Sequence, residues 1–186
     1  MNYLSKYNFG FTAASLRLNE TINIERAFRK GGYSAYEEIL NKEELIGKGN
    51  KRTSIREFRE LTNRLKTLTA KQKDVLVNGD LVSQKQIAFL GACKNYRIIR
   101  EFVLDVLREK ILVFDYQLTE SDYLIFERKK PEVEQLAVTT RKKVKQVLLK
   151  IIEQAGLIDN NVRQMIQPQL LQQQVADIIM EDSPDW

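Results

Sequence analysis

The 186-residue chain contains no histidine and one cysteine, and each shortage removes chemistry. Without histidine, the usual general base near neutral pH and the commonest transition-metal ligand are both missing. One thiol builds neither a disulfide framework nor a zinc cluster, and Cys93, set between Ala92 and Lys94 in an apolar stretch, reads as a buried spectator. No GxxxxGK[ST] loop occurs; Gly47-Lys48-Gly49-Asn50-Lys51 has the residue types but the wrong spacing for a phosphate cradle. Glu57 and Glu60 stand amid Arg56 and Arg59 and read as intrahelical ion pairs. No acidic cluster is placed to clamp metal ions around a phosphate. The sequence therefore predicts no catalytic residue, no metal and no cofactor, with a nuclease built from Asp and Glu alone as the enzymatic alternative.

A signal peptide is also missing. MNYLSKYNFGFTAASL has no charged n-region, long apolar core or small-residue cleavage site, so a cytoplasmic protein is expected. The most hydrophobic segment, Ile98 to Phe114, carries Arg100, Glu101, Asp105, Arg108, Glu109 and Lys110, whereas a spanning helix needs about 20 mainly apolar residues. It reads as a core helix, with Ile98, Ile99, Phe102, Val103, Val106, Leu107 and Ile111 as its stripe, and no membrane partner is expected.

Charge is plentiful but unevenly placed. The net charge of +5 conceals seven Lys or Arg against two Glu from Lys48 to Lys66, and eight against two from Arg128 to Lys150. The tail after Ala176 holds Asp177, Glu181, Asp182 and Asp185 with no cation. Separated positive regions favour a polyanion, most plausibly nucleic acid.

The first basic region, KRTSIREFRELTNRLKTL, reads as a helix capped by Thr53 or Ser54, with Ile55, Phe58, Leu61, Leu65 and Leu68 as its apolar stripe. Arg52, Arg56, Arg59, Asn63 and Lys66 repeat at spacings of four, three, four and three; at roughly 100° per residue this row is centred about 140° round the helix from the stripe. Lys51 precedes the row. The second region, Val138 to Gln167, places Val144, Val147, Leu148, Ile151, Ile152 and Ala155 on one face, with Arg141, Lys142, Lys143 and Lys145 crowding the first turns. Thr139 or Thr140 is the expected N-cap, and the cations oppose the positive end of the helix dipole, a conflict that an anion would relieve. Gly156 is the stop, and Leu157-Ile158, Asp159-Asn160-Asn161 and Val162 to Ile166 read as two short arms around a tight turn, making a recognition helix followed by a wing. Either basic face could instead be simply solvated.

Elsewhere the reading gives a helix after Thr12 or Ser15 ending at Gly31-Gly32 and a short helix from Ser34 to about Asn41. It also gives a helix from Thr69 to about Val77, one opened by Ser83, a break at Tyr96, a helix near Thr119 limited by Pro131, and a last helix within Leu170 to Met180. No repeat or linker longer than a turn appears. The expected architecture is a compact all-α protein: residues 1–80 as a unit with a helix-turn-helix, 81–116 as central core helices, and 117–186 as a winged-helix-like unit with an acidic tail. Two helix-turn-helix units would pack on the central apolar helix. No dimer seam is visible, so a monomer is expected.

FTAASL, RTSIREFRELTNRLKTL, IREFVLDVLREKILVFDYQLTESDY, and TTRKKVKQVLLKIIEQAGLID followed by IQPQLL together resemble the BrxA family of BREX (bacteriophage exclusion) defence systems. The likeness runs from about Tyr7 to Leu171, in the same order and at similar spacing. It implies an all-α protein with helix-turn-helix units that binds double-stranded DNA without catalysing a reaction, beside other BREX proteins including a DNA methyltransferase. It supplies no residue-level contact code, so Lys51, Arg52, Arg56, Arg59, Asn63, Lys66, Arg141, Lys142, Lys143 and Lys145 are candidate DNA contacts on helical geometry alone. Two alternatives stay open: a sequence-specific transcriptional regulator, and a protein-interaction scaffold using the Gln169 to Gln174 run and the acidic tail.

Overall fold

The computed structural model describes residues 7–32 and 51–182. The helix expected from Ser34 to about Asn41 and the glycine turn at 47–50 lie outside the described residues, and with them the lead-in to the first basic helix. Among the described residues the elements are helices and two isolated β-bridges, with no strand. They are a 3-10 turn at Gly10–Ala13, then α1 (Leu18–Gly31), α2 (Lys51–Lys66), α3 (Ala70–Asn78), α4 (Leu81–Asn95) and α5 (Arg97–Phe102). A π-helical segment at Val103–Arg108 continues into α6 (Glu109–Leu112), followed by α7 (Glu120–Arg128), α8 (Pro131–Glu134), α9 (Val138–Gln154) and α10 (Gln173–Met180). Contacts gather the chain into two units: Met1–Ser15 with Tyr96–Gln169, and Leu16–Asn95 with Leu170–Trp186.

In the second of these units α1 packs on α2, α3 and α4, while α4 also packs on α2 and α3. The apolar stripe of α2 explains this: Phe58, Leu61 and Leu65 are fully buried and Leu68 nearly so. Each such side chain contributes roughly 1.5–3 kcal/mol by leaving water. Phe58 meets Phe28 of α1 edge-on at 6.2 Å. Gly91 lets α4 approach α2 closely, because a Cβ there would lie 3.2 Å from the Arg64 carbonyl oxygen. Caps follow side-chain chemistry more than expected. Thr69 and Gln72 form a reciprocal capping box at α3, as the Thr69 start predicts. Asp80, not Ser83, opens α4, because its carboxylate accepts from the backbone N–H groups of Val82 and Ser83 at 2.9 and 3.0 Å. Helix α2 already includes Lys51, so Thr53 and Ser54 stand inside it rather than at its cap. Neither Thr12 nor Ser15 caps α1, which begins at Leu18 after a left-handed Arg17.

In the other unit the 3-10 turn packs on α9 and presents Phe11 to Tyr96, ring to ring at 5.5 Å. Tyr7 is tied down beside it: its N–H donates to Glu132 at 2.6 Å, its hydroxyl to Glu101, and Arg97 stacks over its ring at 4.2 Å. Helix α5 and the π segment bury Ile98, Ile99, Phe102, Val106 and Leu107, the first three turns of the stripe expected for Ile98 to Phe114. Val103 and Ile111, also expected on the stripe, are only half-buried. A π turn inserts one extra residue per turn, which rotates later apolar positions off the buried face. Leu112, Val113 and Phe114 are 63%, 71% and 80% exposed, and Lys110 turns inward instead, paired with Asp115 at 2.6 Å and Asp122 at 3.1 Å.

The chain leaves α6 through a Schellman turn, with Asp115 N–H on the Lys110 carbonyl at 2.9 Å and Phe114 N–H on the Ile111 carbonyl at 3.1 Å. Phe114 therefore occupies the left-handed position, φ 58°, that Gly156 fills at the end of α9 with φ 83°. A side chain there costs roughly 1–2 kcal/mol. Phe114→Gly is accordingly expected to raise stability by about 1 kcal/mol, seen as a higher urea midpoint at unchanged slope. A lower midpoint would mean that packing, not strain, governs this position.

After Phe114 the chain forms the bridge Gln117↔Met165, and Ile158↔Ile166 forms the second, both antiparallel. Ile166 N–H donates to Tyr116 O at 2.7 Å and Leu118 N–H to Gln164 O at 3.0 Å, which fixes residues 116–118 alongside 164–166. Thr119 with Asp122 then forms the capping box of α7.

Candidate nucleic-acid interface

The two candidate rows fall in different units. On α2, Arg52, Arg56, Arg59 and Lys66 are exposed and Asn63 is half-buried, as expected for a row opposite the apolar stripe; Lys51 begins the helix. Arg56, Arg59 and Lys66 make no ion pair among the described residues, whereas Arg52 has a partner. Glu57, next to this row, is drawn to Arg17 at 3.4 Å, so it does not neutralise Arg56. Arg64, absent from the row, is 2% exposed and belongs to the interior.

On α9 the four cations separate into two pairs of different standing. Arg141 pairs with Glu127 at 3.2 Å, and Lys145 pairs with Glu120 while lying over the Tyr123 ring at 5.2 Å. These side chains hold α7 to α9. The Tyr123 phenol beneath them is pushed up, chiefly by burial and then by the charges of Glu127 and Glu120. Lys142 and Lys143 are exposed and unpaired among the described residues. With Thr139 and Gln146 they form an exposed stripe at spacings of three and four, while Val144, Leu148, Ile151, Ile152 and Ala155 are buried on the other side.

Neither Thr139 nor Thr140 is the N-cap. Helix α9 starts at Val138 after Ala137, with no side-chain cap, so its first N–H groups lack a capping acceptor and three cations follow within the first two turns. The electrostatic conflict read in the sequence is thus present without the relief a Thr cap would give.

Beyond α9, Gly156 ends the helix as expected, and residues 159–164 form a tightly bonded turn. Asn160 Oδ1 accepts from Val162 and Arg163 N–H at 2.9 and 2.8 Å, and Asp159 Oδ1 from Met165 N–H at 2.9 Å. Val162 is 93% exposed at its tip, and Arg163 beside it is a cation absent from the candidate set. Its signal in the sequence is a basic residue at the tip of an Asx-rich turn.

The acidic tail is engaged within its own unit. Glu181 pairs with Lys71 at 2.8 Å, and Asp182 pairs with Lys94, which also donates to Gln72 Oε1 at 3.1 Å. Burial pushes the Lys94 ammonium down. Among the described residues no helix is long and apolar enough to cross a membrane.

A relative from Bacillus cereus (strain H3081.97), "BREX protein BrxA", is 33% identical over 87 residues, which is 45% of this chain and 44% of that protein. The alignment thus spans less than half of the relative. A crystal structure of an uncharacterized protein from Magnetospirillum magneticum superimposes with a TM-score of 0.78, covering 96% of this chain and 94% of that one at 17% identity. That likeness shows the fold alone. The BrxA family model matches residues 5–183, and the chain belongs to the BrxA family.

Proposed function

We propose that this protein is a non-catalytic, double-stranded-DNA-binding component of a BREX phage-defence system. In this reading it acts in the cytoplasm as a monomer beside the other BREX proteins, the DNA methyltransferase among them. The observation that carries the reading is the exposed Thr139, Lys142, Lys143, Gln146 stripe at the uncapped start of α9. Backbone N–H groups and ammonium groups there face the same way electrostatically, which suits a phosphate. The order of elements supports a winged helix: α5 to α6, Gln117 of the first bridge, α7, α8, α9, and then Ile158 and Ile166 bridged to each other across a tight turn. In that arrangement α9 is the recognition helix and residues 159–164, with Arg163, are the wing. The α2 row, as part of a helix-turn-helix in the other unit, adds phosphate contacts.

Lysine and arginine dominate both rows, and Asn63 and Gln146 are the amides on them, so affinity should come from the backbone more than from base edges. A mobility-shift titration with duplex and single-stranded DNA at several salt concentrations tests this. If Arg56, Arg59, Lys66, Lys142 and Lys143 each meet a phosphate, log affinity should fall against log salt with a slope of about −4 to −5. A slope near zero, or no binding at low salt, removes the proposal.

A further inference from the structure

We propose, resting on the duplex-binding reading, that the acidic end of the chain covers a phosphate site of its own unit. Glu181 and Asp182 hold Lys71, Gln72 and Lys94 in place of DNA phosphates, and duplex binding displaces them.

The donors of this site are fixed by the fold. Lys94, in the last turn of α4, has a side chain only 10% exposed, and its ammonium donates to the Thr67 carbonyl at 3.2 Å and to Gln72 Oε1 at 3.1 Å. Both of those acceptors are neutral. Asp182 supplies the carboxylate paired with Lys94, and Gln72, fully buried, donates its Nε2 to the same Oδ2 at 3.2 Å. Two buried donors therefore meet on one anionic oxygen. Gln72 cannot swing away freely, because its Oε1 also accepts from the Thr69 N–H at 3.0 Å in the α3 capping box. Lys71 beside it donates to both Glu181 oxygens, at 2.9 and 2.8 Å. Charged and amide donors converging on oxygens suit a phosphate as well as a carboxylate. An ammonium as buried as that of Lys94 needs an anion beside it, whichever anion that is.

The site continues the α2 row. Lys66 is the last cation of that row and Thr67, whose carbonyl Lys94 holds, follows it directly, so Lys94 and Lys71 extend the row past the end of α2. The tail ends the row at Lys66. It is also lightly held: of the eight residues of α10 only Val175 is buried, and Leu170 before it is 90% exposed. The Lys71–Glu181 pair is 66% and 55% exposed, and pairs in water contribute little. Exchange therefore costs the unit little, provided that a phosphate replaces Asp182 beside Lys94. The tail acts as a built-in competitor for the polyanion.

The test is a mobility-shift titration of duplex at several salt concentrations, comparing the full chain with Glu181→Gln plus Asp182→Asn, which keeps the tail's shape and removes two charges. The variant should bind about tenfold tighter at low salt, with a salt slope steeper by about 2, for two more phosphates at roughly 0.9 each. Asp74→Asn with Asp177→Asn removes the same charge elsewhere in the unit and should stay within about twofold of wild type. Adding Lys71→Ala and Lys94→Gln to the neutral tail should cancel the gain, and a thermal melt checks that each variant is folded. Affinity and slope unchanged in the folded neutral-tail variant, or equal tightening in the Asp74 and Asp177 control, overturns the proposal and leaves the DNA reading standing. If neither protein binds duplex at low salt, the DNA reading fails and this one with it. Where Asp182→Asn unfolds the chain, Glu181→Gln alone carries the test: a slope steeper by about 1 is expected, and an unchanged slope overturns the proposal.

Discussion

Lys142→Glu with Lys143→Glu is expected to weaken duplex binding by on the order of 100-fold, because two charge-assisted contacts of roughly 1.5 kcal/mol or more are lost. The loss should be similar for every duplex sequence, and the salt slope should shrink by about 2. These two side chains are chosen over their neighbours on structural grounds. Arg141 and Lys145 are anchored by Glu127 and Glu120, so reaching a phosphate would mean breaking an ion pair between α7 and α9. Arg141→Ala and Lys145→Ala should therefore cost less affinity, and more stability, than Lys142→Ala and Lys143→Ala. The same logic separates the units. Arg56→Glu with Arg59→Glu should weaken binding if the α2 row meets the same duplex, and a folded variant that binds normally would show that row to be a solvated face. The measurement is a mobility-shift titration with circular dichroism on each variant.

The sequence made these contrasts only partly legible. The α2 row was readable because its apolar stripe is regular: Phe58, Leu61, Leu65 and Leu68 are buried, and the cations opposite them follow by rotation. The α9 cations were readable as charges but not as partners, since Glu120 and Glu127 lie on another helix and ion pairs across helices leave no local pattern. Caps were legible where reciprocal side chains fix them, at Thr69 with Gln72 and at Thr119 with Asp122. They were misplaced at α9, where two threonines precede no acidic N3 partner and the helix begins one residue before both. The π segment was invisible, because i to i+5 bonding has no composition of its own, and missing it left Val103 and Ile111, both half-buried, in the expected apolar stripe. The unit boundaries at Ser15, Asn95 and Gln169 carry no linker composition, and each unit collects segments distant in sequence.

The hydrophobic stretch that begins at Ile98 carries the largest expected stability effect, at Phe102. This residue is fully buried, meets Phe126 edge-on at 5.1 Å and lies 6.1 Å from the Tyr123 ring. Phe102→Ala removes a whole ring from a contact between α5 and α7, and the expected cost is about 3–5 kcal/mol. Much of that is the cavity left beside Phe126 and Tyr123, which such a site closes only in part. Against a typical total stability of about 5–15 kcal/mol, this should lower the thermal midpoint by roughly 6–20 °C. Phe126→Ala should cost nearly as much, and the double variant less than the sum, because the edge-on pair of about 0.5–1.5 kcal/mol is lost only once. The alternative for this stretch is a lipid environment, in which Arg100, Glu101, Asp105 and Arg108 would each cost a few kcal/mol. In the fold Arg100 and Glu101 are half-buried and Asp105 and Arg108 exposed, while Lys130 ties Glu101 at 2.5 Å to Asp105 at 3.1 Å. A Phe102→Ala protein with an unchanged melting curve, or a wild-type protein that stays in the membrane pellet through a salt wash, would overturn the assignment of this helix as the core of its unit.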